Sequence, residues 1–133
     1  MKKIIVTFSI LIIGIFSIKA QEAGNTNAPE AKFDKLVHDY GKVLKGGNGI
    51  CEFKLTNIGK QPLILASCRS SCGCTVPNCP KAPIMPGKSI IIKVRYDTKR
   101  LGVFNKTITV NSNAKNKSII LCIKGEIIKP VKK

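Results

Sequence analysis

The sequence predicts an antiparallel β-sandwich of about seven strands, and three observations predict it. Apolar residues recur with period two, as in Ile90, Ile92, Val94 and Tyr96 set against Ile91, Lys93 and Arg95. Strict alternation is the signature of a half-buried strand. The inward sets are β-branched and aromatic, as strands favour. Turn signals then punctuate these runs at short intervals, and no stretch after residue 20 offers a helix of ordinary length. Short alternating runs joined by turns are the pattern of an all-β sandwich.

The N-terminus is of another kind. Lys2 and Lys3 precede an apolar run from Ile4 to Ile18, and Lys19-Ala20-Gln21 follows. A basic start, a short apolar stretch and a small residue before a polar segment make a signal peptide. Residues 1–20 are therefore expected to be removed after Ala20, which sends the chain to the periplasm or outside the cell. The run falls short of the about 20 apolar residues of a membrane span, so no transmembrane segment is expected after cleavage. A bulky Ile18 three residues before the cut leaves a retained anchor as the alternative. Residues 21–31 are small and polar and read as a flexible leader.

Strand signals fill the next hundred residues. Phe53 and Leu55 alternate with Glu52, Lys54 and Thr56. Ile108 and Val110 alternate with Thr107 and Thr109, and Leu121, Ile123 and Ile127 with Cys122, Lys124 and Glu126. Between them stand Gly46-Gly47-Asn48-Gly49, Asn57-Ile58-Gly59-Lys60, Pro86-Gly87 and Asn111-Ser112-Asn113. Pro86-Gly87 suits the centre of a type II turn. Asp39, Asn57 and Asp97 are expected to cap turns by accepting from backbone amides. The sandwich is expected over residues 32–128, with a basic tail at 129–133.

One segment breaks the rhythm. From Ser67 to Met85 the chain carries four Cys and three Pro, with Pro86 just beyond. Such a segment is no regular central strand. It reads as a long loop, and long loops in compact domains are stapled or functional.

Several pieces in fixed order resemble a known family. They are His38-Asp39-Tyr40-Gly41-Lys42-Val43, Phe53 to Gly59, Ser71-Cys72-Gly73-Cys74-Thr75-Val76-Pro77, Pro86-Gly87-Lys88, Tyr96-Asp97-Thr98 and Gly102-Val103-Phe104. The chain thereby resembles the bacterial domain-of-unknown-function family 1573 over about residues 32–128. The resemblance implies an immunoglobulin-like sandwich, similar to major-sperm-protein modules. It also implies a non-enzymatic binding or assembly module of the cell envelope, by analogy of fold.

Cys68, Cys72, Cys74 and Cys79 fall within twelve positions, and an exported chain meets an oxidising compartment. Three readings stay open. The four are candidates for two disulfides, and joining Cys68 and Cys79 to the two central cysteines is sterically easier than a Cys72–Cys74 bridge. Alternatively Cys72 and Cys74, completed by Cys68 or Cys79, hold copper(I) or zinc. A third reading is thiol redox chemistry at Cys72 and Cys74, with Arg69 and Lys81 as electrostatic support. Cys51 shares parity with Phe53 and Leu55 and is expected in the core. Cys122 opposes Leu121 and Ile123 and is expected outside.

Charge and composition exclude more than they assign. Without Lys2, Lys3 and Lys19 the chain carries 20 basic against 7 acidic residues, a net charge of +13. By charge alone this suits anionic surfaces, including nucleic acid. An exported chain with five Phe and Tyr after residue 20 is poorly equipped to stack bases, so nucleic acid is not expected. Weak contact with an anionic envelope surface is, and the principal partner is expected to be an envelope protein. One His and seven acidic residues give a hydrolase few parts, and His38 and Asp39 are strand neighbours that point to opposite faces. No catalytic residue, no cofactor and no enzyme activity is expected.

Overall fold

The computed structural model describes residues 26–132. The expected signal peptide at 1–20 and residues 21–25 of the expected leader lie outside the described residues. Eight strands follow in chain order: β1 (Ala31–Phe33), β2 (Val37–Leu44), β3 (Ile50–Asn57), β4 (Leu65–Ser70), β5 (Thr75–Pro77), β6 (Ser89–Tyr96), β7 (Gly102–Ser112) and β8 (Ser118–Ile128). They form two four-stranded sheets, in the orders β1-β3-β6-β5 and β2-β8-β7-β4. Among the described residues there is no helix.

The alternation explains the layers. Cys51, Phe53 and Leu55 on β3, with Ile92, Val94 and Tyr96 on β6, turn inward from one sheet. Phe104, Ile108 and Val110 on β7, with Leu121, Ile123 and Ile127 on β8, turn inward from the other. Each Val, Leu, Ile or Phe among them contributes about 1.5–3 kcal/mol by leaving water. Leu63 and Ile84, both buried, pair as an isolated bridge outside the strands and add to the same core.

The sequence predicts about seven strands, all antiparallel; the structure has eight, and β2 pairs with β8 in parallel. The cause is a switch of sheets. The chain leaves the first sheet at Phe33 and joins the second at Val37. Asp34 holds the crossing, its carboxylate accepting from the amides of Lys35 (2.9 Å) and Lys54 (3.0 Å). A strand that crosses between layers must enter the second sheet in its own direction, which here matches β8. The leader also ends earlier than residue 31. Ala31 is buried in β1, the Glu30 carbonyl accepts from Ile58, and the Pro29 carbonyl accepts from Lys115.

The parallel pair needs glycine twice. The register slips between Asp39 and Lys42, so Tyr40 and Gly41 bulge opposite Gly125. Gly41 takes φ 63°, and the Asp39 carboxylate accepts from its amide at 2.8 Å. A Cβ on Gly125 would lie about 3 Å from the Gly41 carbonyl, the Tyr40 Cβ and the Phe104 ring. The bulge therefore packs only against a residue without a side chain.

Asn57 closes the first sheet. It is fully buried at the end of β3. Its side-chain oxygen accepts from the amides of Gly59 (3.0 Å) and Glu30 (3.4 Å), and its Nδ2 donates to the carbonyls of Gln61 (2.7 Å) and Ile84 (2.9 Å). The turn cap expected from sequence is thus one of four bonds. Asn57→Ala is expected to lower unfolding free energy by roughly 3 kcal/mol, because it leaves buried backbone groups without partners. Urea unfolding at constant m-value measures this; a loss under about 0.5 kcal/mol would mean that water replaces the side chain at no cost.

Candidate functional site: the cysteine loop and the groove beside it

The cysteine- and proline-rich segment is more regular than a long loop. Its first residues continue β4 to Ser70, and Thr75–Pro77 form β5, the edge of the first sheet. Pro77 is tolerated there because an edge strand leaves one side unpaired. The Asn78 amide donates to Lys93 (2.8 Å), the Asp97 amide donates to Cys74 (2.8 Å), and Lys88 donates to Met85 across the turn at Pro86-Gly87 (3.0 Å).

The four clustered cysteines pair as Cys68–Cys79 and Cys72–Cys74, with Cα separations of 5.7 and 5.3 Å. This corrects the pairing that the spacing favours. Cys68 lies on β4 of one sheet and Cys79 just past β5 of the other, so their bridge ties the two layers at one edge. Cys72 and Cys74 lie on the turn between those strands, where Thr75 donates back to the Cys72 carbonyl. The same pairing takes up every sulfur of the copper or zinc alternative. Among the described residues no group of three or more His, Cys, Asp or Glu side chains is placed to hold a metal ion. Arg69 and Lys81 are both exposed. Cys51 is buried, and Cys122 is half-buried with its thiol donating to Asn105 Oδ1 at 2.9 Å.

Two shallow cavities adjoin beside this turn. One, of about 500 Å³, runs from the Gly46–Gly49 turn past Cys74 to Lys99. The other, of about 460 Å³, lies on the outer face of the first sheet over Pro77 and Lys93. They share Ile50, Val76 and Arg95. Strand register sets these three in one row, Val76 beside Arg95 and Arg95 beside Ile50. Val76 and Ile50 are 61% and 44% exposed, so the Arg95 stem runs between two apolar side chains facing solvent. Lys93 pairs with Glu52 and Arg100 with Asp97, whereas Arg95 and Lys99 enter no ion pair among the described residues. Beneath the groove the Tyr96 ring stacks on Phe104 of the other sheet, centroids 3.8 Å apart, which fixes the floor. Sequence reasoning missed Arg95 because outward basic residues occur on every strand. Its distinction is the pair of exposed apolar neighbours, and cross-strand register alone reveals them.

Sheet edges are poor docking sites by comparison. β1 and β5 have three residues each, and the ladders of β2 and β4 are interrupted by bulges. Short or bulged edges resist strand addition.

A second cluster lies under β2. Tyr40 donates to the Gly49 carbonyl at 2.8 Å, and the His38 ring meets it edge-on at 4.6 Å. Lys35 Nζ donates to His38 Nδ1 at 3.1 Å. Burial, with help from Lys35, pushes the His38 pKa below its usual 6.5. Burial also pushes the Tyr40 phenol and Cys51 thiol up, and the Tyr96 phenol likewise. Asp39 points away toward Lys124, 3.9 Å distant. His38 and Asp39 therefore form no acid–base pair, and the cluster is a packed seam.

The family model described as protein of unknown function, DUF1573, matches residues 31–127. The chain belongs to this family. Among solved structures, a protein of unknown function from Porphyromonas gingivalis W83 is similar to this chain, with TM-score 0.67 and 17% identity over 76% of this chain and 48% of that one. The present chain thus spans about half the length of that protein. The ASH/PapD-like domain 7 of human CEP192 gives TM-score 0.67 at 7% identity, covering 79% of this chain and 89% of that one. A chain of the CsuC–CsuE chaperone–tip adhesion subunit pre-assembly complex of Acinetobacter baumannii gives 0.54 at 11%, covering 72% and 56%. At these identities the likeness is one of fold: an immunoglobulin-like, PapD-like sandwich. No curated protein matches the chain. Among the described residues no helix is long and apolar enough to cross a membrane.

Four titrating groups of this DUF1573 domain have pKa values displaced by burial, which makes its stability depend on pH. Cys51, Tyr40 and Tyr96 have raised folded pKa values, so their contribution is full below the unfolded values and is lost as pH climbs past about 9. His38 has a lowered one, so its contribution is lost as pH falls below about 6.5. Melting temperature is expected to peak between those limits. Cys51→Ala and His38→Phe should flatten the alkaline and acid slopes respectively, and unchanged slopes would assign the pH dependence to other groups.

Proposed function

We propose that this chain is an exported, non-catalytic binding module of the bacterial cell envelope, periplasmic or secreted, that docks a protein partner in the groove beside its cysteine loop. The observation that carries the reading is the row Val76–Arg95–Ile50. Its two exposed apolar side chains flank a guanidinium that no carboxylate among the described residues takes up. Arginine with apolar surroundings suits a partner segment that brings a carboxylate next to an apolar side chain. An overall charge of +13 after residue 20 would steer such an acidic partner and add weak adhesion to anionic envelope surfaces.

Further support comes from the residues at 1–20, which have the composition of a signal peptide. The family carries no assigned activity. A similar fold occurs in a chaperone–tip adhesion subunit pre-assembly complex, which is a property of that complex and supports a protein partner here by analogy of fold.

Photo-crosslinking in intact cells tests the reading. A photoreactive residue at Val76 should give one or a few discrete protein adducts, and one at Val103, exposed on the opposite sheet, should give none. Arg95→Glu should reduce the Val76 adducts at least about tenfold, which corresponds to about 1.4 kcal/mol. Equal adducts from both positions, or adducts indifferent to Arg95, would contradict the groove as the docking site. Envelope fractionation with intact mass reads the export half separately, and expects a mature chain that begins at Gln21.

A further inference from the structure

The two disulfides of the loop stand in different surroundings. Cys68–Cys79 joins the two layers across a separation of 11 positions. Cys72–Cys74 closes over one residue, Gly73, on an exposed turn. A ring that small gains little from closure, and such bridges open at milder reducing conditions than bridges spanning a long loop.

The two sulfurs of the small ring are also unequal. Cys72 is half-buried at the surface, while Cys74 is 4% exposed and lies on the groove wall. A Cβ added at Gly73 would meet nothing within 4 Å, so the approach over the turn is open. The Thr75 hydroxyl, itself buried, lies 3.9 Å from both Cys72 Sγ and Cys74 Sγ.

A cation completes the arrangement. β4 and β7 pair through Ser70 and Ile108, and the ladder runs on because Ser71 donates to the Thr107 carbonyl and Thr107 donates to Ser71 Oγ. The ladder ends there, and Lys106 is the residue of β7 next to Thr107 as Cys72 is the residue next to Ser71. Lys106 occupies an inward position of β7, between buried Phe104 and Ile108, is half-buried, and joins none of the ion pairs among the described residues. A half-buried lysine at an inward position near the small disulfide, in none of the ion pairs among the described residues, is poorly explained by packing. It is well placed to favour a thiolate.

We propose that Cys72–Cys74 is an exchangeable disulfide that oxidises a dithiol on a protein substrate, while Cys68–Cys79 is a permanent staple. A substrate thiolate attacks Cys72 Sγ; the Cys72–Cys74 bond breaks and its electron pair stays on Cys74 Sγ, to which Thr75 donates. The second substrate thiol loses its proton to solvent and attacks the substrate sulfur of the mixed disulfide. Cys72 then leaves as a thiolate near Lys106. The domain has gained two electrons and the substrate has become a disulfide. A more oxidising protein disulfide reverses the exchange and recharges the ring. Without that recharging one dithiol is consumed per oxidised chain, and the exchange adds to the binding role without depending on the groove's partner.

The test uses the mature chain and no biological partner. The oxidised protein is equilibrated in buffers of graded reduced-to-oxidised glutathione or dithiothreitol ratio, alkylated, and read by peptide mass at each cysteine. Cys72 and Cys74 should become alkylated at a ratio at least about tenfold lower than Cys68 and Cys79 require. Lys106→Met and Thr75→Val should each raise the ratio needed for Cys72–Cys74 at least about threefold and leave Cys68–Cys79 in place. The oxidised chain should also convert a two-cysteine model peptide to its disulfide, one per chain, and Cys72→Ser should not. Simultaneous reduction of both bridges, earlier reduction of Cys68–Cys79, or midpoints indifferent to both Lys106→Met and Thr75→Val would overturn the proposal.

Discussion

The buried amide of Asn57 is the interaction on which the arrangement depends. It bonds to four backbone groups on separate stretches of chain: the approach to β1, the turn after β3, the segment before β4 and the end of the cysteine loop. The main chain of Asn57 strengthens the last link, donating to Lys88 and accepting from Gly87. A polar side chain with no exposure is stable only when each of its bonds is made. Here that requirement sets the spacing between elements that share no ladder. The Cys68–Cys79 bridge anchors the other end of the same loop. With both ends held, Thr75–Pro77 lie as a short edge strand, and the row of Val76, Arg95 and Ile50 becomes continuous.

One end of the molecule consequently gathers its unusual chemistry. The groove, the small disulfide ring and the inward Lys106 all lie around the turn at Ser71–Cys74. The neighbouring seam, around His38, Tyr40 and Cys51, is filled by ring contacts and hydrogen bonds, and its shifted pKa values come first from burial. Perturbed ionisation marks function only where a cavity and open geometry accompany it. Of the shifted groups only Tyr96 lines the groove, and its shift comes first from burial.

Much of the sandwich was legible because the period-two pattern is local. The inward sets of β3, β6, β7 and β8 followed from alternation alone, as did the burial of Cys51. The turn caps of Asp39, Asn57 and Asp97 followed from side-chain chemistry. What stayed hidden depends on where distant segments meet. The switch at Asp34 and the parallel pairing of β2 with β8 carry no periodic signal. Disulfide partners were misjudged because the spacing of four cysteines says nothing of which sheet each one joins. Lys106 keeps the parity of Phe104 and Ile108 in the sequence, yet a lysine at an inward position gains meaning only when β4 pairs with β7 and brings the cysteine turn to that end of the sheet.

The central claim is that the cysteine loop is a held part of the sandwich, and amide hydrogen exchange tests it most directly. The amides of Asn78, Ile84 and Gly87 all donate to backbone carbonyls of other segments. The account predicts that they exchange at least about a hundredfold more slowly than the amides of residues 129–132, and that Asn57→Ala speeds Ile84 and Gly87 while sparing Ile123 in β8. Exchange of those three amides in the intact protein as fast as in the tail would contradict it.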